Sequence, residues 1–369
     1  MKICHITTVH SRYDIRIFWK EAISASKAGF DVTIILNDSY EDEVKNGVKI
    51  ISIRQSCKNR VSRIFSISVN KKVLKKAISL KADIYQFHDP ELLHLGIKLK
   101  SLGYNVIYDV HEDVPHQILV KEWLPKISRK LISLIFEIYE NRYIKQFSAI
   151  VVPTPHIMDR CIRLNQSVWQ VCNFPSIKEI KFSDINYSNK NPTCYIGDLS
   201  VTRGLKQILA ATAMAGVKLK LCGEFHPKSL KDELSHDFDH FEYLGFLNRN
   251  EINLLLSNSS IGFVTLLNTP NDANSYPIKM FEYMAAGIPV ISSNFPLYKK
   301  IIEENNCGIC VDPTDIFEIS KAIRKIVDNE KYAHELRTNG YLNIIQSYNW
   351  EDQSQNLFAC YSQMDNINL

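Results

Sequence analysis

Short runs rich in β-branched and aromatic residues alternate with helical stretches along this chain, and the alternation runs through twice. MKICHITTV, DVTIIL, VKIISI, ADIYQFHD, NVIYDVHE and SAIVVPT have strand character. Between them lie IRIFWKEAISASKAG, which ends at Gly29, then VNKKVLKKAISL and ELLHLGIKLKSLG, all with helical spacing. Such alternation with short loops predicts a parallel, doubly wound α/β sheet. The pattern restarts after NFPS and the polar stretch DINYSNKNPT. TCYIGDL, VKLKLCGEF, HFEYLGFL, IGFVTLL, PVISS and GICVD are the next strand candidates. LKQILAATAMAG, RNEINLLLS, KMFEYMAAG and IFEISKAIRKIVDN are the helices between them. Two domains are expected, 1–175 and 176–348, followed by an amphipathic helix over about 349–369.

A chain of 369 residues with 45% hydrophobic content is large enough for two separate cores. It has no apolar run long enough to span a bilayer, and its start lacks the apolar centre of a signal peptide. A cytoplasmic protein is expected. Of nine cysteines, only Cys307 and Cys310 form a CxxC pair, in a predicted strand; a lone pair is weak support for metal or redox chemistry, and both are read as core. Charge is uneven. Residues 1–175 hold 26 Lys/Arg and 17 Asp/Glu, a balance of +9, and the rest hold 44 − 26 = 18 against 40 − 17 = 23, a balance of −5. A basic first half suggests an anionic partner. The runs KNRVSRIF, NKKVLKKAISLK and KEWLPKISRKLISLIF mix cations with large apolar residues, which suits either an interfacial helix on an anionic leaflet or a solvated face. No zinc-finger spacing or RNA-binding aromatic signature points to nucleic acid.

In doubly wound sheets ligands bind beyond the carboxyl ends of the strands, at the switch point, and two such domains place a site in the cleft between them. No G-x-G-x-x-G follows the first strand and no Walker loop occurs, which argues against dinucleotide enzymes and P-loop ATPases. In YIGDLSVTRGLKQIL a strand ends at Gly197, the loop carries Arg203–Gly204, and a helix starts; this is either an anion site or an arginine beside a turn glycine. Lys279 and Glu282 share a helix face, so they either meet a phosphate and a pair of vicinal hydroxyls or form a surface ion pair. His88 and Asp89 end one first-half strand, and His111, Glu112 and Asp113 end the next. Asp14 and Arg16 follow the first strand at the same edge, where Arg16 has the alternative of pairing on its own helix.

With these residues in place, GFVTLLNTPNDANSYPIKMFEYMAAGIPVISSNFPLYKKIIEENNCGICVDPTD resembles the donor half of family-4 glycosyltransferases. HITTVHSRYDIRIFWKEAISASKAGFDVTII, FHDPELL and VIYDVHEDVP resemble the acceptor half of a bacterial polysaccharide branch of that family. The resemblance covers nearly the whole chain. It implies a GT-B fold, with two Rossmann-like domains facing across a cleft, and retaining, metal-independent transfer of a hexose-type sugar. The donor would be a nucleotide diphosphate sugar, UDP-linked by expectation, with no other cofactor and no metal. The acceptor would be a glycan or lipid-linked hydroxyl in capsule, O-antigen or exopolysaccharide assembly, with peripheral contact at the cytoplasmic face of the inner membrane.

The family carries a Glu, seven residues and a second Glu. Glu282 matches the second, which holds ribose hydroxyls; Asn274 stands where the first would be, and Pro277 removes one backbone donor from that loop. The resemblance assigns the donor to Gly197, Arg203, Gly204, Asn274, Ser275, Tyr276, Lys279 and Glu282. The family's first loop arginine is replaced by Asp198, and Lys279 is expected to supply the missing positive charge. His111 matches the family's cleft histidine, so His111, Arg203 and Lys279 are the catalytic candidates; Asp14, Arg16, His88, Asp89 and Glu112 are the acceptor-side candidates. No carboxylate is placed as a nucleophile, so retention implies same-face attack, with the departing diphosphate oxygen taking the acceptor's proton. A nucleotide-sugar epimerase of the same fold and a non-catalytic nucleotide-sugar-binding member are the alternatives.

Overall fold

A computed structural model describes residues 1–54, 67–121, 124–180, 182, 191–235, 241–269 and 273–365. The basic run KNRVSRIF, Glu122 and Trp123 of KEWLPKISRK, and most of DINYSNKNPT lie outside the described residues. The chain divides into two compact units: Met1–Asn173 with Asp352–Leu369, and Phe174–Glu351.

The first unit is built on eight strands: β1 (Lys2–Ile6), β2 (Asp31–Leu36), β3 (Glu43–Lys45), β4 (Val48–Ser52), β5 (Ile84–Phe87), β6 (Asn105–Asp109), β7 (Ala149–Val152) and β8 (Val168–Gln170). Their order is β3-β4-β2-β1-β5-β6-β7-β8, so the chain winds outward from β1 in one direction and then from β5 in the other. β5, β6 and β7 are buried along their whole length, as central parallel strands covered on both faces must be. The expectation of an all-parallel sheet needs one correction. β3 runs antiparallel to β4. Asn46 and Gly47 between them have φ of 51° and 80°, the backbone a two-residue hairpin demands, and Asn-Gly is its commonest sequence.

Asp14 caps the first helix by accepting from the N–H groups of Arg16 and Ile17. That helix opens with π geometry over Ile15–Ala22 and continues as an α-helix, Ile23–Lys27. The C-terminal helix Trp350–Asp365 packs onto this unit: Phe358 and Tyr361 meet Phe30, and the Tyr361 hydroxyl donates to Gln86 Oε1 at 2.7 Å.

The second unit has six strands, all parallel: β9 (Thr193–Ile196), β10 (Leu219–Cys222), β11 (Phe241–Gly245), β12 (Gly262–Val264), β13 (Val290–Ser293) and β14 (Gly308–Val311). Their order, β11-β10-β9-β12-β13-β14, puts the switch point between β9 and β12. The helix Ile278–Ala285 is buried from Met280 onward. The helix Glu330–Gln346 was not among the predicted elements; its apolar face is sparse, and Gly340 in its middle argues against it. Cys307 and Cys310 are buried, and burial pushes both thiols up to about 12, which fits their reading as core.

Candidate active-site regions in the two units

Both switch points collect polar residues. In the first unit, Asp89 at the end of β5 accepts from the Thr7 hydroxyl and from the backbone N–H groups of Thr8 and Val9. This ties the loop after β1 to the strand across the switch point. The same loop is held on its other side by Arg12, which binds Asp38, Glu43 and Ser52.

Beneath lies a chain of imidazoles. His5 Nδ1 is 3.0 Å from His88 Nε2, and His88 Nδ1 is 3.0 Å from Asp109 Oδ2. His111 Nε2 is 3.1 Å from the same carboxylate oxygen. Asp109 also takes the Arg16 guanidinium, at 2.8 Å and 3.2 Å, and Arg16 in turn reaches Glu21 Oε1 at 2.9 Å and the Val171 carbonyl at 2.9 Å. Burial opposes charge on Asp109, yet Arg16, His111 and His88 hold it well below the usual carboxylate range. Glu21 goes the other way: burial, then the Asp109 charge, raise it well above its ordinary value, so it is the protonated member of the pair. Burial lowers His88 to about 4, and burial with the neighbouring His88 lowers His5 further, so both rings are neutral at pH 7. His88 Nδ1 also lies 3.0 Å from His111 Nε2, so the two rings and Asp109 meet in one cluster that leaves His111 Nδ1 outside it.

At the rim, His10 Nδ1 is 3.1 Å from Asp14 Oδ2, and its ring lies 4.7 Å from that of His111. Burial works against a charged His10, but the Asp14 hydrogen bond and the Asp89 and Asp14 carboxylates outweigh it and raise its pKa. Arg16, His88 and Asp89, expected to face an acceptor, are all buried with their polar atoms engaged inside the unit; they build the floor of the switch point. Asp14 is part-exposed and Glu112 exposed, next to Gln117. His111 differs: its ring rests on buried Asp109 while its side chain keeps 14% exposure.

In the second unit, Gly197 closes β9 and Gly204 starts the helix Leu205–Ala215 with φ of 72°. A Cβ on Gly204 would lie 2.1 Å from the Thr265 carbonyl oxygen, so the two loops of the switch point touch backbone to backbone there. A Cβ on Gly197 would lie 3.1 Å from Lys279 Nζ. The Lys279 ammonium sits 3.8 Å from the centre of the Tyr195 ring, above the end of β9. Its carrier helix begins at Ile278, so the first-turn amides and this cation lie at the same helix end.

Glu282 does not pair with Lys279. Its Oε1 accepts from Arg249 Nη1 at 2.8 Å, and its side chain is 11% exposed. Arg249, the first residue of the helix Arg249–Ser257, was missed by sequence reading; nothing in RNEINLLLS distinguishes it from an ordinary helix-start cation. Asn274 is exposed, the Ser275 hydroxyl lies 3.4 Å from that of Tyr298, and the Tyr276 ring packs between Phe174 and Phe281. Arg203 ends the turn Val201–Arg203 just before Gly204.

Residues 176–343 match a family model described as Glycosyl transferases group 1. A curated relative, the MMP alpha-(1->4)-mannosyltransferase of Mycolicibacterium hassiacum, is 20% identical over 169 residues, 44% of this chain. The match covers 40% of that relative's own length. Among solved structures, sucrose-phosphate synthase from Thermosynechococcus elongatus superposes with a TM-score of 0.79 at 16% identity, over 99% of each chain. Anabaena HepE in complex with UDP superposes at 0.70 with 15% identity, over 98% of this chain and 100% of that one. The fold is of the GT-B class that these solved structures share.

Proposed function

We propose that the protein transfers a sugar from a nucleotide diphosphate donor, UDP-linked by preference, to a hydroxyl of a glycan or lipid-linked acceptor, with retention. One observation carries the donor side: the helix Ile278–Ala285 holds Lys279 at the end of β9 and, one turn on, the part-buried Glu282. In this reading the Glu282 carboxylate, oriented by Arg249, accepts from the ribose hydroxyls. Lys279, Arg203 and the first-turn amides meet the diphosphate, so a metal is not required there. Asn274, Ser275 and the backbone of Tyr276 line the sugar, and Gly197 and Gly204 let the phosphates approach the chain closely.

Transfer then proceeds on one face. The bond from the anomeric carbon to the diphosphate oxygen breaks, the bond to the acceptor oxygen forms, and the acceptor proton passes to the departing diphosphate. His111, with its Nε2 turned to Asp109, offers Nδ1 to a hydroxyl of the sugar or acceptor, and Asp14 and Glu112 stand near it on the open side. The Lys279→Ala variant tests this. Loss of a charge-assisted contact worth ~1.5–3 kcal/mol weakens donor affinity or turnover roughly 10- to 100-fold. Unchanged kinetics would remove Lys279 from the site.

The acceptor's class and the peripheral membrane setting rest on the helix Lys126–Ile144. Ile127, Leu131, Leu134, Ile135, Ile138 and Tyr139 recur at helical spacing and are all exposed, Ile127 to 96%. Lys121, Lys130, Arg142 and Lys145 flank them. No described helix is long and apolar enough to cross a membrane. An apolar stripe bordered by cations suits the surface of an anionic bilayer, where a lipid-linked glycan would be presented.

A further inference from the structure

Among the described residues, three groups bring two imidazoles and a carboxylate within ligand distance: His5–Glu21–His88, His88–Asp109–His111 and Asp113–His116–His156. The first is fully buried, and the second belongs to the network around Asp109. The third is built differently. Asp113 caps the helix Val114–Val120, its Oδ1 accepting from the His116 N–H. His156 is the second residue of the helix Pro155–Cys161, which follows β7.

We propose that Asp113, His116 and His156 form a binding site for one divalent transition-metal ion of the zinc class. Asp113 is 7% exposed, and its Oδ2 has no hydrogen-bond partner; neither has His116 Nδ1, also buried. These two atoms nevertheless lie 2.9 Å apart, and His156 Nε2 lies 3.5 Å from the same Oδ2. The two atoms approach closely without meeting hydrogen-bond geometry, so neither satisfies the other and both keep a lone pair for an ion. Donors held ~2.1 Å from one ion are about 3.0 Å apart at a right angle and about 3.4 Å apart at a tetrahedral one. The two separations match that pair of values. All three donor atoms fall within 4.8 Å of one another.

Two imidazoles and a carboxylate favour Zn²⁺, Co²⁺ or Ni²⁺ over Mg²⁺ or Ca²⁺, which prefer all-oxygen shells. Three protein ligands leave coordination positions on the exposed side for water or an anionic oxygen. The ion would fasten the segment that follows β6, which carries His111, to the segment that follows β7. The inference does not depend on the transferase reading.

The test uses the full chain without an affinity tag. Zn²⁺ binding is followed by calorimetry, and Co²⁺ by its visible absorption. One ion per chain is expected, with a higher unfolding temperature in its presence. His116→Ala and His156→Ala, both at half-exposed rings, should each weaken binding at least 10-fold and abolish the thermal gain, while far-ultraviolet dichroism of the metal-free proteins stays unchanged. Asp113→Asn retains the cap and should also lose the ion. If the wild-type chain binds neither Zn²⁺ nor Co²⁺, or if the two histidine variants bind with wild-type affinity, the site does not exist.

Discussion

Asp109 receives hydrogen bonds from Arg16, His88 and His111, and its charge is what the interior of the first unit is organised around. Asp109→Asn would leave Arg16 buried beside a neutral amide, and the loss of one partner from a buried pair costs roughly 3–5 kcal/mol. Denaturant unfolding should show that drop; a change under 1 kcal/mol would mean the network is not structural. The neutral His88 adds a pH dependence whose sign can be worked out. Its folded pKa, about 4, lies below the ordinary value of 6.5, so the unfolded state binds the proton first. Its stabilising share is present above pH 6.5 and is lost as pH falls from there toward 4, on the order of 3 kcal/mol in all. His88→Gln should flatten the fall of unfolding free energy across that window, and an unchanged slope would contradict the assignment. From the sequence, His88, Asp89, His111 and Arg16 were legible as residues at strand ends. Which of them would be buried was not, because burial is decided by His5, Glu21 and Tyr361, which approach from distant parts of the chain.

At the scale of elements, the turn into the helix Leu205–Ala215 depends on Gly204, whose positive φ and contact with the Thr265 carbonyl both exclude a side chain. Gly204→Ala should cost at least ~2 kcal/mol, a fall of roughly 4–8 °C in Tm for a unit of this size. A variant melting within 1 °C of wild type would show that the loop is free to adjust. The helix Lys126–Ile144 makes the opposite case, since its exposed stripe contributes little to folding. Ile135→Glu with Ile138→Glu should leave unfolding unchanged and abolish binding to vesicles containing anionic lipid at low salt. Binding that survives the double substitution would place the membrane contact elsewhere. Strand–helix alternation made most elements readable, because buried parallel strands and amphipathic helices write their periods plainly. The β3–β4 hairpin was readable in Asn46–Gly47 and was overlooked beside stronger parallel signals. The helix Glu330–Gln346 was hidden for a physical reason: its buried face carries Ala333, Arg337 and Gly340 beside only two large apolar residues, Leu336 and Ile344, which leaves a thin apolar stripe.

For the molecule as a whole, the sequence pattern restarts after NFPS, and the chain divides into one compact unit of Met1–Asn173 with Asp352–Leu369 and another of Phe174–Glu351. The helix Ile278–Ala285 was legible because Lys279 and Glu282 sit one turn apart in an otherwise apolar run. Arg249, which orients Glu282, was not, since the pairing spans 33 residues and no local pattern encodes it. The second unit is proposed to hold a nucleotide diphosphate sugar, and the direct measurement is thermal unfolding of the full chain against a set of nucleotide sugars and nucleoside diphosphates, with Glu282→Ala alongside. A ligand at 100 times its Kd adds about 2.7 kcal/mol to the stability of the fold that binds it. At least one nucleotide sugar should raise the unfolding temperature of the wild type by several degrees, and the gain should be lost in Glu282→Ala. If no nucleotide sugar and no nucleoside diphosphate stabilises the wild-type chain, or if the variant gains as much as the wild type, the donor site is not the one described.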